Sequence, residues 1–194
     1  MSSSSRPDFA SLIRELLHEQ PEPATATRTE ERLMDAAVHL VGEFGERRLT
    51  MDEVAARARV ARATAFRRFG TRDELLRRTY MREIRRTLAA VRDAIDGADD
   101  RLAVGFATLA EIVCRHPITT RMARTEPDLA IEMWRSGSPS GFTVVRTVIE
   151  GLAEPADRDQ ADLLTRLLLS YLLLPEVAPT RAQIERQVRR KARA

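Results

Sequence analysis

Residues Thr50 to Phe69 read TMDEVAARARVARATAFRRF, and this stretch decides the fold of the chain. Thr50 and Glu53 have the spacing of a capping box, in which the two side chains satisfy backbone amides at the start of a helix. The pattern predicts two short helices joined by a turn of three to four residues, with arginines on the outward face of the second. That arrangement is typical of a helix-turn-helix unit, whose second helix enters the DNA major groove.

A second capping box, formed by Thr27 and Glu30, precedes this pair and predicts the start of another helix. Apolar residues then recur at helical spacing, and Gly45 is expected to end the helix. The apolar residues of this helix are Leu33, Ala36, Ala37, Leu40, Val41 and Phe44. We expect this face to form a small core with the helix pair. The inward residues of the pair are Val54, Ala55, Ala58, Ala65 and Phe69.

Positive charge is concentrated around the helix pair. The whole chain carries a net charge of +3, but residues 57–86 hold eleven arginines and three carboxylates, a net charge of +8 that leaves −5 for the rest. A basic segment inside a mildly acidic protein favours binding to a polyanion such as nucleic acid. Lys191 is the only lysine, so arginine is the usual cation of this chain, and some of these arginines are expected only to solvate helix faces.

The rest of the 194-residue chain also has helical periodicity, and we predict an all-α fold. An amphipathic helix over 8–19 is followed by a Pro-rich linker; the helix is expected to pack on the protein or its dimer mate, the alternative being a flexible arm near DNA. Shorter helical pieces are expected within 118–136. The longer predicted helices span 72–96, 101–116, 142–153, 157–174 and 180 to the end.

Several classes of protein are not expected. The single cysteine, Cys114, excludes an internal disulfide and fits a reducing compartment, and it is expected to be buried and inert. No apolar run approaches the roughly 20 residues of a membrane span. With no signal peptide visible, the expected location is the cytoplasm, without a membrane partner. The three histidines lack metal-ligand spacing, and His116 is expected at a helix C-terminus or on the surface. Neither a cofactor nor an enzymatic activity is expected.

The block from Thr27 to Arg86 resembles the TetR family of bacterial transcriptional regulators. The matching residues, in order, are Ala36-Ala37, Phe44-Gly45, Thr50, Val54-Ala55, Val60, Thr64-Ala65-Phe66, Phe69 and Arg72-Asp73-Glu74-Leu75. The resemblance implies an N-terminal three-helix, helix-turn-helix DNA-binding domain followed by a helical ligand-binding and dimerisation domain. On that basis residues 1–26 are an N-terminal extension, residues 27–86 the DNA-binding domain, and residues 87–194 the regulatory and dimerisation domain.

Three positions depart from the family pattern. Arg59 stands in the turn where the family usually has glycine, so either the turn differs or a cost of about 1 kcal/mol is tolerated. Phe66 replaces a tyrosine and therefore lacks the hydroxyl that would donate to a phosphate. Arg72 replaces a lysine and can still clamp a phosphate.

The resemblance places the recognition helix at residues 61–68, with Arg62, Ala63 and Thr64 at its base-reading end. Arg62 is expected to bind guanine O6 and N7, while Ala63 or the methyl of Thr64 contacts a thymine methyl. The alternative to DNA contact is a solvated surface position for each arginine. For Phe66, the alternative to apolar contact with DNA is packing on the preceding helix. Phosphate contacts are expected from Arg67, Arg68, Arg72, the hydroxyl or amide of Thr50, and Arg28.

The family dimerises through its last long helices, which implies a homodimer built on residues 142–153 and 157–174. The second of these is apolar nearly all round, which indicates burial on both sides, by self-association or by an unusually deep monomer core. Candidate interface residues are Leu163, Leu164, Leu167, Leu168 and Tyr171.

Family members respond to small molecules that bind among the middle helices and change the spacing of the recognition helices. Such an effector must bind the two conformations with different affinity. Candidate pocket residues, each of which could equally be ordinary core, are Phe106, Leu109, Val113, Met122, Met133 and Trp134.

The implied function is a sequence-specific DNA-binding transcriptional regulator, a dimeric repressor that binds a palindromic double-stranded operator and is released by a small-molecule effector. One alternative is a regulator without such an inducer, acting constitutively or through a protein partner. The other is an interaction module that has lost operator binding, which the departures at Arg59 and Phe66 would allow.

Overall fold

The computed structural model describes residues 26–135, 141–152, 157–174 and 178–191, and these residues form helices without a strand. The predicted all-α fold is confirmed. The N-terminal helices are α1 (Arg28–Phe44), α2 (Met51–Ala58), α3 (Arg62–Phe69) and α4 (Arg72–Ile95). They are followed by α5 (Arg101–Arg115), α6 (Pro117–Thr125), α7 (Pro127–Arg135), α8 (Gly141–Glu150), α9 (Arg158–Leu173) and α10 (Arg181–Lys191). The amphipathic helix predicted over 8–19 lies outside the described residues.

Both predicted capping boxes are present. The amide of Glu30 donates to the Thr27 hydroxyl at 3.3 Å, and the amide of Glu53 donates to the Thr50 hydroxyl at 3.2 Å. In each box the glutamate carboxylate accepts from the backbone amide of its threonine, so the first turn of each helix is satisfied from both sides. A single turn of 3₁₀ helix, Glu46–Arg48, connects α1 to α2.

Two separate hydrophobic cores organise the chain. The first lies among α1 to α4, where Leu33, Val54 and Ala65 have no exposed surface. The second lies among α5, α7, α8, α9 and α10 and the C-terminal half of α4, and its largest fully buried side chain is that of Phe106. Phe44 was predicted to belong to the first core but does not. It is the last residue of α1, at the edge of the unit, and is 43% exposed.

The turn between α2 and α3 keeps its left-handed conformation although it lacks glycine. Arg59 has φ 53° and ψ 47°, and among the described residues it is the non-glycine residue with a positive φ. The guanidinium of Arg32, on α1, donates to the carbonyls of Ala58 and, at 3.2 Å, of Arg59. This cation caps the C-terminal end of α2, which opposes the cost of the left-handed residue and fixes the start of α3.

Replacing Arg59 with glycine is expected to raise the free energy of unfolding by about 0.5–1 kcal/mol, because relief of the left-handed strain exceeds the added entropy of the unfolded chain. Urea denaturation measures the change. The control is Arg57→Gly, the same substitution at a helical position of α2, which is expected to destabilise by about 0.5–1 kcal/mol. A loss of stability in both variants would show that the turn carries no strain.

The two cores meet where α1 packs on α6. A side-chain β-carbon at Gly42 would lie 2.6 Å from the β-carbon of Pro117, so the two helices approach as closely as glycine allows. Nearer the N-terminus of α1, the carboxylates of Glu31 and Asp35 face arginines of α4. The orientation of the N-terminal unit is therefore held at two points, one apolar and one ionic.

Candidate nucleic-acid interface and internal cavity

Helix α3 presents a basic outward face. Ala65 and Phe69 anchor the helix in the first core, with 0% and 4% of their surface exposed. Thr64 is partly buried. The side chains that point away from the protein are those of Arg62, Ala63, Phe66, Arg67 and Arg68.

Arg62 is held at the N-terminal end of α3 without being buried. Its Nε lies 2.9 Å from Oδ1 of Asp52, and its guanidinium carbon lies 5.4 Å from the centre of the Phe66 ring. The side chain is 69% exposed, and an ion pair between exposed groups contributes only about 0–1 kcal/mol. A base edge can therefore replace Asp52 at little cost, while the 38% exposed ring of Phe66 supports the guanidinium.

Two of the expected phosphate ligands already have partners within the protein. The hydroxyl and the amide of Thr50 both donate to the Glu53 carboxylate, at 2.8 and 3.1 Å. The guanidinium of Arg72 donates to the Leu49 carbonyl at 2.9 Å, to the Glu46 carbonyl and to Asp73. In this conformation Thr50 caps α2 and Arg72 ties the 3₁₀ turn to α4, so neither is the freely available phosphate ligand that the sequence suggested.

The other expected phosphate ligands are accessible. Arg67 and Arg68 are exposed near the C-terminal end of α3, and Nη2 of Arg67 lies 3.5 Å from the Thr64 hydroxyl. Arg28 is exposed at the first residue of α1. Exposed arginines of this kind are the groups that commonly bind the phosphates of a duplex.

The basic segment of residues 57–86 is divided by the fold. Its second half faces acidic residues of α1: Nη2 of Arg78 lies 3.0 Å from Glu30, and Nη1 of Arg82 lies 2.9 Å from both Glu31 and Asp35. The net charge of +8 in that segment thus overstates the positive charge available to a ligand. On α3, Arg62, Arg67 and Arg68 all remain exposed.

A cavity of about 140 Å³ lies between α4, α5, α6 and the C-terminal helices. Three of the predicted pocket residues, Leu109, Val113 and Trp134, line it. Phe106 is buried in the second core and Met122 is partly buried, but neither is in the lining, and the side chain of Met133 lies outside the described residues. Residues of α4 that sequence reasoning did not assign to the pocket complete its wall, namely Tyr80, Glu83, Ile84, Thr87 and Leu88.

Glu83 and His116 form the polar end of this otherwise apolar cavity. Nε2 of His116 lies 3.2 Å from Oε2 of Glu83, and Nδ1 accepts the amide hydrogen of Ile118 at 3.3 Å. His116 is the C-cap of α5, as expected, and also the N-cap of α6, and with only 18% of its side chain exposed it is not a surface residue. Burial acts to raise the pKa of Glu83, but the hydrogen bond from His116 and the charge of Arg82 outweigh it and lower that pKa.

Helix α9 uses one face for its own core and leaves another accessible. Leu164 and Leu168 are 3% and 1% exposed and belong to the second core, so their apolar character needs no partner chain. Leu167 and Tyr171 are partly buried against the same core. The apolar residues that extend outward along the opposite stripe are Leu163, 36% exposed, and Leu174, 54% exposed.

The single cysteine, Cys114, does not provide a reactive thiolate. Cys114 is partly buried rather than fully buried, and burial raises its pKa to about 11, so the thiol stays protonated near neutral pH. Across the described ranges there is no group of three histidine, cysteine or acidic side chains able to hold a metal ion. None of the described helices is long and apolar enough to cross a membrane.

The sequence of the chain is similar to those of known transcriptional regulators. Residues 33–79, from α1 into α4, match the model of the bacterial regulatory proteins of the tetR family. An HTH-type transcriptional regulator of Mycobacterium tuberculosis strain H37Rv is 26% identical over 180 residues, covering 87% of this chain and 86% of that protein. A regulator of Mycobacterium bovis gives the same values.

Solved structures share the fold over nearly the whole chain. A TetR-like transcriptional regulator from Rhodococcus sp. RHA1 superposes with a TM-score of 0.59 at 20% identity, covering 91% of this chain and 100% of that one. The fatty acid degradation regulator FadR from Bacillus halodurans superposes with a TM-score of 0.59 at 14% identity, covering 85% and 95%. The similarity therefore includes the helices that follow the N-terminal unit.

Proposed function

We propose that the chain, a DNA-binding transcriptional regulator of the TetR family, acts as a dimeric repressor that binds a palindromic operator and is released by a small-molecule effector. The observation that carries this proposal is the outward face of α3. Arginines are exposed at both ends of that helix, and Arg62 is held by two weak contacts that a base edge can replace. These contacts also favour operator binding over a module that has lost it.

In this proposal Arg62 reads a guanine, and Ala63 and Thr64 contact neighbouring bases. Phe66 supplies apolar contact in place of a hydroxyl. Arg67 and Arg68 bind phosphates and set the position of the helix in the groove. Arg28 adds a phosphate contact from α1, while Thr50 and Arg72 act mainly by holding the frame of the unit.

A dimer is needed because one helix-turn-helix reads too few base pairs, and two units must lie about one DNA turn, roughly 34 Å, apart. The exposed stripe of Leu163 and Leu174 on α9 supports this surface as the interface, with the partly buried Leu167 between them. We assign the contact to this stripe and not to Leu164 or Leu168.

Replacing Leu163 and Leu174 together with glutamate is expected to raise the dimer dissociation constant at least about 100-fold, because it places charges in an apolar interface. Sedimentation velocity measures the change against the 21.9 kDa chain. Ile131→Glu, which changes a 39% exposed residue on α7, is the control and is expected to leave the dimer intact. A monomer in wild type, or a dimer in the double variant, would contradict the assignment.

Effector release is supported by where the cavity lies. His116, Ile118 and Thr119 line it from the start of α6, the helix whose first residue, Pro117, contacts Gly42 of α1. A ligand that displaces the start of α6 changes the contact that orients the N-terminal unit. The ligand shifts the equilibrium between the DNA-binding and the released orientation of this unit only as far as its affinities for the two orientations differ.

Titration of labelled duplex DNA tests the proposal as a whole. The duplex is the one that the protein enriches from a random pool, and fluorescence anisotropy reports binding as KCl is raised. We expect two protomers per duplex and a steep, linear decrease of log affinity with log salt, because several phosphates are neutralised together. Binding of one protomer, or an affinity that does not change with salt, would overturn it.

A further inference from the structure

The polar groups in the cavity wall point to the chemistry of the effector. This inference rests on the proposed function and concerns the same cavity. The wall is mostly aliphatic, so the body of a ligand must be apolar. What distinguishes one head group from another is therefore the hydrogen-bonding state of the few polar side chains in the lining.

The hydroxyl groups of the lining direct their hydrogens into the protein. The Tyr80 hydroxyl donates to Glu46 at 2.8 Å, that of Thr87 to the Glu83 carbonyl at 2.9 Å, and that of Thr119 to the His116 carbonyl at 3.0 Å. Each of these oxygens keeps a lone pair with which it can accept. The hydroxyl groups therefore offer acceptors to a ligand and no hydrogen.

The imidazole of His116 also directs its hydrogen into the protein. Because its Nδ1 accepts the Ile118 amide hydrogen, its own hydrogen lies on Nε2 and is given to Glu83. With both ring nitrogens engaged inside the protein, the imidazole has no hydrogen to give to a ligand. The indole N–H of Trp134 adds one neutral donor to a lining that otherwise presents oxygen acceptors.

The ionic cluster behind Glu83 carries a net negative charge. Glu83 pairs with Arg82 at 2.7 Å and with Arg86 at 3.4 Å, and both arginines also pair with Glu31 and Asp35. Three carboxylates thus face two guanidinium groups, a net charge of −1. A cationic head beside Glu83 would neutralise the cluster, whereas an anionic head would add a fourth carboxylate to it.

We propose that the cavity binds a small apolar amine, whose ammonium group donates to Glu83 and to the threonine hydroxyls while its hydrocarbon body lies against α5, α8 and α9. The volume sets the size. A cavity of about 150 Å³ holds a benzene-sized ligand, so the 140 Å³ here suits a body of about six carbon atoms. A neutral alcohol, which has one donor, should bind less tightly, and a carboxylate least.

Three probes that share one hydrocarbon chain test this inference: hexylamine, 1-hexanol and hexanoate. The carboxylate is the strongest contrast, because its charge is opposite to that of the ammonium group. Thermal unfolding and calorimetric titration of the full chain measure binding. We expect hexylamine to raise Tm and to bind at least about tenfold more tightly than hexanoate, with 1-hexanol between them.

Glu83→Gln removes the charge and keeps the shape, and we expect it to reduce the preference for hexylamine over 1-hexanol to less than about threefold. Glu111→Gln is the matched control, since Glu111 pairs with Arg115 and Arg181 and does not line the cavity. If Glu83→Gln fails to fold, the comparison of the three probes in wild type still decides the inference.

The outcomes distinguish the inference of an amine ligand from the proposal that the cavity binds an effector. Equal or tighter binding of hexanoate would overturn the amine inference and leave the cavity as an effector site. Failure of all three probes to bind would overturn both. An unchanged amine preference in Glu83→Gln would also overturn the role of Glu83. Operator affinity, measured without any probe, reports separately on the DNA-binding part of the proposed function.

Discussion

Replacing Arg82 with alanine is expected to lower the free energy of unfolding by about 3–5 kcal/mol, as removal of one partner from a buried ion pair commonly does. Only 8% of Arg82 is exposed, and its guanidinium contacts the carboxylates of Glu31, Asp35 and Glu83 and the backbone carbonyl of Glu31. Without it, Glu83 remains largely buried beside two other carboxylates. Urea denaturation followed by circular dichroism measures the loss.

Arg86 offers a matched control for this prediction. It pairs with the same three carboxylates but is 53% exposed, so Arg86→Ala is expected to cost no more than about 1 kcal/mol. The contrast isolates the effect of burial from that of charge. Similar losses in the two variants would mean that Arg82 is no more important than a surface arginine, and that the ionic contact between α1 and α4 does not hold the N-terminal unit in place.

Replacing Arg62, Arg67 and Arg68 together with alanine is expected to reduce operator affinity by at least about 10³-fold, because one base contact and two phosphate contacts are lost. Stability should change little, since all three side chains are exposed. Fluorescence anisotropy with the selected duplex measures affinity. Arg62→Ala alone should relax base preference, whereas Arg68→Ala should weaken binding to all sequences alike.

The control for the triple variant removes the same charge elsewhere. Arg92, Arg101 and Arg115 are exposed on α4 and α5, outside the N-terminal unit, and replacing them with alanine also lowers the net charge by three. We expect this variant to keep operator affinity within about tenfold of wild type, the residual loss reflecting the long-range field. A loss as large as that of the α3 variant would mean that net charge, and not α3, accounts for binding.

Local signals predicted the helices well because they act within a few residues. The capping boxes of Thr27 and Thr50 use side chains that meet amides three residues away, and both are present. Arg59 was recognised as an anomaly from its place in the turn. Its compensation was not, because the capping cation, Arg32, lies 27 residues earlier on another helix.

Properties that depend on packing between distant segments could not be predicted in the same way. Glu83 and His116 are 33 residues apart, and nothing near either of them in the sequence indicates a shared cavity. The arginines of α4 look available for DNA until α1 brings its carboxylates against them. Composition therefore indicated a polyanion ligand, while the fold decides which arginines can reach it.

Selection from a pool of random DNA duplexes tests the central claim most directly. The purified full chain is incubated with the pool at physiological salt, and bound duplexes are amplified and sequenced over several rounds. We predict enrichment of one palindrome whose half-sites lie about one helical turn apart and contain a guanine that Arg62→Ala no longer selects. A pool that stays random, or a site that Arg62→Ala selects unchanged, would contradict the assignment of α3 as the helix that reads the operator.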